Sequence, residues 1–319
     1  MHDFKHELRK DPLMGRWVAV LGVSMRPDEY PPMADGKEGI CPLCEAGAGG
    51  EVSVVKGEPI LLEAGELGRK GAGIYDTMNP VGVYEIIIES GEHAMAPEEM
   101  GPEHFRRIFE TYQKRFAALA KDPRIRYVFV YKNKGKAVGA RVSHPHSELM
   151  ATPVIPEAVK QELEGAKAYF AYKERCIFCD ILHEEEKAAK RVIAQTEHFL
   201  AFSPFAPRVP FEFWVVPRRH SCDFLDMGPA ELVDLASLMP QLLKKLKRAL
   251  NDPPYTYYIH TAPNRVPRRN HWHTLGDDYH WHIEVLPKLS EGPSAIDWGS
   301  GFFILTTSPE DAAKFIKEA

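Results

Sequence analysis

Cys41-Pro-Leu-Cys44, followed by His93 and then His144-Pro-His146, is answered later in the chain by Cys176-Ile-Phe-Cys179, His220 and His280-Trp-His282. From Cys41 to His144 is 103 residues, and from Cys176 to His280 is 104. Two C-x-x-C pairs matched to two H-x-H pairs at equal long range indicate a duplicated half-domain, each copy carrying a Cys₂His₂ metal site. The reading divides the chain at 1–155 and 156–319. It gives an α+β fold of two tandem half-domains, antiparallel sheets with flanking helices.

Outward from these motifs, the composition fits an enzyme. The 319 residues are 44% hydrophobic, enough for a full core. A net charge of −5 argues against a dedicated nucleic-acid binder. The N-terminal MHDFKHELRK has no apolar run of a secretory signal, and no apolar window is long enough to span a membrane. Four of the five cysteines lie in C-x-x-C pairs, which suits thiolate ligands in a reducing, cytoplasmic compartment better than disulfides.

Each half shows the same order of elements. Residues 83–89 and 127–132 are β-branched and aromatic, as strands are, and 97–120 between them has a helical period. In the second half, 211–216, 255–260 and 280–286 read as strands and 228–250 as a helix. Residues 15–23 read as a further strand, 45–73 as loop and hairpin, and 156–175 as a helix joining the halves.

Alternate residues of a strand share a face, so the two histidines of each H-x-H pair are expected side by side. One completes a tetrahedral site and the other is left free beside it. The expected ligand sets are Cys41, Cys44, His93 and His144, and Cys176, Cys179, His220 and His280. Thiolate and imidazole ligands favour Zn²⁺, two ions per chain, with Fe the alternative in the second site.

The surroundings of His146 and His282 differ. Residues 133–148 read Asn-Lys-Gly-Lys-Ala-Val-Gly-Ala-Arg-Val-Ser-His-Pro-His-Ser-Glu, a polar, Gly-containing loop suited to close approach of a phosphate. His146 can be a nucleophile toward phosphorus if a backbone carbonyl fixes its other nitrogen. Taken alone, a histidine here reads better as a core residue than as a nucleophile.

The run NKGKAVGARVSHPHSELMATP resembles the active-site segment of galactose-1-phosphate uridylyltransferases and their histidine-triad relatives, N-x-G-x-x-x-G-x-S-x-x-H-P-H-(G/S)-Q. Asp11-Pro-Leu-Met-Gly-Arg-Trp-Val18 resembles the family's opening. Phe202-Ser-Pro-Phe205, Phe211-Glu-Phe-Trp214, Pro217-Arg-Arg-His220, Tyr279-His-Trp-His-Ile-Glu284 and Gly299-Ser-Gly301 resemble its second half. A C-x-x-C in both halves is closer to the branch that includes plant ADP-glucose phosphorylase. The resemblance implies a homodimer and a ping-pong transfer. His146 takes a nucleotide from a nucleoside diphosphate sugar and passes it to a sugar 1-phosphate or phosphate. It also implies that Asn133, Gly135 and Ser147 line the phosphates.

This chain departs from the family pattern at several positions. Glu148 replaces the Gln after H-P-H-(G/S), and Arg141 replaces the Ser three residues before it. Arg26 is what remains of an N-terminal basic segment, and Asn79 of a nucleotide-binding one. Arg141 is expected to neutralise Glu148, since a carboxylate beside a phosphate is unfavourable unless paired. The resemblance implies uridylyl transfer from UDP-glucose to a hexose 1-phosphate, with an ADP-sugar or dinucleotide phosphorylase, an adenylyl transfer, as the alternative. A function of another class also stays open, a zinc-stabilised nucleotide-binding protein without efficient transfer.

Overall fold

The computed structural model describes residues 7–10, 17–20, 41–46, 52–58, 60–265, 272–289, 300–301 and 303–319. Its strands fall where β-branched and aromatic residues concentrate. In the first half they are β1 (Glu7–Lys10), β2 (Trp17–Val20), β3 (Ser53–Lys56), β4 (Lys70–Ala72), β5 (Tyr75–Met78), β6 (Val83–Ile88), β7 (Tyr127–Lys134) and β8 (His146–Thr152). In the second half they are β9 (Val192–Gln195), β10 (Phe199–Phe202), β11 (Phe213–Pro217), β12 (Tyr255–His260) and β13 (His282–Pro287). The helices are α1 (Pro42–Ala46), α2 (Pro102–Leu119), α3 (Glu157–Lys173), α4 (Ile177–Ala188), α5 (Pro229–Leu250), α6 (Leu275–Asp278) and a C-terminal helix, α7 (Pro309–Glu318).

The two halves are fused in one sheet. Nine strands run in the order β3-β6-β8-β7-β12-β13-β11-β10-β9, and β7 pairs antiparallel with β12 where the halves meet. A smaller sheet, β2-β1-β5-β4, accompanies the first half. The expected joining helix is α3, between β8 and the second C-x-x-C.

The long helices cover one face. In α2 the buried residues Phe105, Ile108, Phe109, Tyr112, Phe116 and Leu119 recur at three- and four-residue intervals and form a single stripe. The helix starts at Pro102 rather than 97, because Gly101-Pro102 sets a fresh N-terminus after one 3₁₀ turn at Pro97–Glu99. Helix α5 starts at Pro229, where the Glu231 carboxylate accepts the Gly228 N–H, and ends at Asn251 in left-handed conformation. One apolar core spans both halves, from Ile87 and Phe109 to Leu242, Trp281 and Ile283.

The opposite face carries polar groups at its centre, flanked by smaller apolar clusters around Tyr127, Phe178 and Tyr279 and around Leu200 and Phe202. Successive strand side chains alternate, so Leu149 and Ala151 enter the core while His146 and Glu148 face away from it. Ile283 and Val285 likewise enter the core while His282 and Glu284 face away. Glu148 lies opposite Tyr131, Glu284 lies opposite Tyr258, and the two tyrosines are themselves partners across β7 and β12. The internal repeat is thus visible residue by residue at the centre of this face.

Candidate active site and metal centres

The two expected ligand sets are assembled as read from the sequence. In each, the four ligand atoms lie within 4.8 Å of one another. Cys44 Sγ is 3.3 Å from His93 Nδ1 and 3.5 Å from His144 Nδ1. Cys179 Sγ is 3.3 Å from His220 Nδ1 and 3.8 Å from His280 Nδ1. The second C-x-x-C opens α4, with Cys176 as its N-cap, and the first opens α1. Three of the histidines donate their far nitrogen to a main-chain oxygen: His144 Nε2 to Ser90 at 2.7 Å, His220 Nε2 to Gly276 at 2.8 Å, His280 Nε2 to Pro217 at 2.8 Å. That leaves each Nδ1 lone pair aimed at the thiolates, the arrangement a metal ligand requires. Burial holds His144 below the usual imidazole range despite its Ser90 bond, and the positive charges of His93, His146 and Lys132 act the same way. Burial likewise lowers His280. Two thiols and two imidazole Nδ1 atoms converging within 4.8 Å fit a metal ion in both sites.

The H-x-H geometry differs in one respect from the sequence reading. Strand β8 starts at His146 and β13 at His282, so the first histidine of each pair stands just before the strand. Pro145 prevents an earlier start by removing a ladder donor. The ligand histidine therefore turns toward the C-x-x-C, and its partner begins the ladder.

His146 is buried, and its Nδ1 donates to the His144 carbonyl at 2.6 Å. This fixes the tautomer with the lone pair on Nε2, whose nearest charged neighbour is Glu148 Oε1 at 3.9 Å, beyond hydrogen-bond length. His282 makes the equivalent Nδ1 bond to His280 at 3.1 Å, but its Nε2 is taken by Glu284 Oε1 at 3.2 Å. The Trp214 ring also stacks on His282 at 5.0 Å between centroids. Of the two histidines outside the ligand sets, His282 is therefore hydrogen-bonded at both nitrogens and His146 at Nδ1, with its Nε2 beyond hydrogen-bond length of Glu148.

A cavity of about 910 Å³ lies against the first ligand set, with Cys41, Cys44, His93 and His144 in its wall. Asn133, Gly135, Arg141, Ser143 and Pro145 also line it, so the loop expected to cradle phosphates borders a cleft whose lining ends one residue before His146. Gly135 has φ 96°, with Pro254 Cβ 3.0 Å from where a Cβ would sit, so the loop's turn needs glycine there.

Other expectations are corrected. Arg141 does not reach Glu148. It pairs with Glu58 at 2.8 Å on the surface. Glu148 Oε2 instead accepts the Tyr84 hydroxyl and, at 2.8 Å, that of Tyr131. Two phenolic donors supply what the sequence reading asked of the arginine. Ser147 points into the core, where its hydroxyl donates to Glu89, because its place on β8 puts it on the other face from His146. Asn79 lies away from the cavity and donates to the Glu66 carbonyl at 2.8 Å. Arg26 falls outside the described residues.

Sequence reasoning missed a third group. Glu162, His260, His282 and Glu284 bring their ligand atoms within 4.8 Å of one another. His260 Nδ1 lies 2.9 Å from Glu162, and Arg208 pairs with both Glu212 and Glu284. His260, the last residue of β12, and Glu162, on the joining helix, carry no local motif to announce them.

Comparison with known proteins gives a consistent picture. The family model described as the N-terminal domain of galactose-1-phosphate uridyl transferase matches residues 63–156, and that of its C-terminal domain matches 162–292. An ADP-glucose phosphorylase of Arabidopsis thaliana is 33% identical over 98% of this chain and 92% of its own length. A solved uridylyltransferase superposes with a TM-score of 0.84 at 27% identity, covering 98% of both chains. The Arabidopsis thaliana ADP-glucose phosphorylase with bound ADP-glucose superposes with a TM-score of 0.76 at 31% identity, covering 99% of both.

Proposed function

The chain belongs to the galactose-1-phosphate uridyl transferase family, and from that membership we propose how its residues perform nucleotidyl transfer between a nucleotide sugar and a sugar phosphate or phosphate. His146 Nε2 attacks the α-phosphorus of the nucleoside diphosphate sugar. The bond from that phosphorus to the bridging oxygen breaks, and sugar 1-phosphate leaves with the electron pair. The nucleotide stays on Nε2 while Nδ1–H remains bonded to the His144 carbonyl, so no proton need move in this step. An oxygen of the second phosphate then attacks the same phosphorus, and the P–N electron pair returns to Nε2. Bonds of similar energy are exchanged, so catalysis rests on positioning and on donors for the phosphoryl oxygens.

The observation that carries this reading is the contrast between the two half-domains. His146 has its Nδ1 anchored and its Nε2 3.9 Å from Glu148, directly after the cavity-lining His144 and Pro145, whereas His282 has both nitrogens hydrogen-bonded. Asn133, Gly135 and Arg141 are the groups available to the substrate phosphates. Zn²⁺ in both Cys₂His₂ sets is part of the proposal. When bound it is structural, holding the turn before each strand. Residues 1–155 and 156–319 are proposed as the repeat units, and a cytoplasmic homodimer as the working form. Among the described residues no helix is long and apolar enough to cross a membrane.

The adenylyl variant, transfer from ADP-glucose to inorganic phosphate, is favoured by the identity of 33% to a plant ADP-glucose phosphorylase along nearly the whole chain. An exchange assay decides between the variants. Labelled phosphate and labelled glucose 1-phosphate are each offered with ADP-glucose and with UDP-glucose, and label appears only in the product of the true donor and acceptor. No exchange with either donor would move the chain to the non-catalytic alternative.

A further inference from the structure

Behind the His146 strand lies a buried ionic cluster that the transfer chemistry does not use. Lys132 on β7 is 2% exposed and Glu89, just after β6, is 1% exposed. Lys132 Nζ donates to the Glu89 carboxylate and, at 3.1 Å, to the main-chain oxygen of His146. Glu89 also accepts the Ser147 hydroxyl and, at 3.3 Å, that of Tyr112. Its own N–H donates to the Pro145 carbonyl at 3.0 Å. The next residue, Ser90, accepts His144 Nε2. Every residue from His144 to Ser147 is thereby bonded to Glu89, Ser90 or Lys132.

The repeated half serves as an internal control. Because Tyr131–Glu148 and Tyr258–Glu284 are equivalent cross-strand pairs, the register matches Lys132 to Ile259 and Ser147 to Ile283. Both isoleucines are fully buried. Counting along β6 and β11 in the same register matches Glu89 to Pro217. The second half closes the same strand arrangement with apolar side chains, so folding does not demand the charges. A buried ion pair is often no more stabilising than packed hydrophobic residues of similar volume. Its presence on the His146 side alone calls for another reason.

We propose that Glu89 and Lys132, with Ser147, are positioning residues that fix the main chain through His144–Ser147 and so hold His146 Nε2 at its point of attack. This rests on the reading that His146 carries the nucleotide. Lys132 borders the cavity, but its Nζ is engaged by Glu89 and the His146 carbonyl, and Glu89 and Ser147 do not line the cavity. They act through the backbone of the nucleophile, and a displacement of about 1 Å there is enough to slow transfer about 10²-fold.

The test is the double variant Glu89→Gln/Lys132→Met in the full-length, metal-loaded protein. It removes both charges and keeps the volumes. The expected result is an unchanged or higher Tm and an unchanged Kd for ADP-glucose or UDP-glucose, whichever the wild type binds. The single-turnover release of glucose 1-phosphate should be about 10²-fold slower. Ser147→Ala, which leaves the ion pair intact, should keep its Tm and slow the same step by less than the ~10²-fold of the double variant. A wild-type rate in the double variant overturns the proposal. So does a double variant that fails to fold, or one whose binding falls in step with its rate, since either marks an ordinary structural role. A wild-type protein that releases no glucose 1-phosphate from either donor and takes no label on His146 overturns the transfer reading itself. A wild-type burst matched by the variant sinks only the positioning role.

Discussion

Glu148→Gln is expected to speed the first half-reaction. The carboxylate is buried on the face of His146, with Oε1 3.9 Å from the attacking Nε2. A phosphoryl group on Nε2 brings its non-bridging oxygens to about 4 Å from that charge. Two like charges at this distance repel by about 1 kcal/mol in water and about 4 kcal/mol at an effective dielectric constant of 20. The hydroxyls of Tyr84 and Tyr131 delocalise part of the negative charge, and Arg141 is near enough to be raised by it, so the lower figure sets the minimum. The amide removes the repulsion, keeps an oxygen for both tyrosines and turns an N–H toward the phosphoryl group. The minimum gain is therefore about fivefold in the rate of nucleotidyl-enzyme formation. The fold should lose about 1 kcal/mol, because two charge-assisted hydrogen bonds become neutral ones. Rapid-quench measurement of glucose 1-phosphate release in a single turnover reads the rate, and thermal unfolding reads the stability. A rate at or below the wild-type value would refute the reasoning, since the carboxylate would then be helping transfer rather than opposing it.

Metal analysis of freshly purified protein should find two zinc ions per chain, and a strong chelator should lower the Tm, because each closed thiolate site contributes folding energy. One ion or none would refute the duplicated-site reading. His282→Gln should leave the rate of glucose 1-phosphate release per folded molecule within about twofold of wild type while lowering the Tm, since His282 is fully buried, paired to Glu284 and stacked on Trp214. Trp281→Ala should cost about 3–5 kcal/mol, measured by denaturant unfolding, because the ring is fully buried between Phe199 and Phe224.

Much of this site was legible from spacing. C-x-x-C at a helix start and H-x-H at a strand start are local patterns, and their long-range repetition pointed to the two ligand sets that the fold brings together, with His146 and the tandem halves as candidates. What spacing does not carry is which strand edges meet. The fusion of β7 to β12 follows from tertiary packing, and with it come the Tyr131–Tyr258 pair and the continuity of the polar face. The same limit explains Glu148. Its hydrogen-bonding partners come from β6 and β7, far away in sequence, whereas the nearby Arg141 faces the surface and Glu58. Ser147 was placed on the wrong face because a motif gives order along the chain but not the alternation of the strand. Glu162 and Lys132 read as ordinary helix and strand residues, and only the assembled sheet shows that one joins the second-half cluster and the other grips the nucleophile's backbone.

The most direct test of the central claim is to trap the adduct. The protein is mixed with ADP-glucose or UDP-glucose labelled at the α-phosphate, quenched in base, digested and mapped by mass spectrometry. The account predicts one nucleotide per chain, on His146, formed together with one equivalent of glucose 1-phosphate and discharged by added phosphate or sugar 1-phosphate. Label on His282 or any other residue, or turnover of a nucleotide sugar with no covalent adduct on His146, would contradict it.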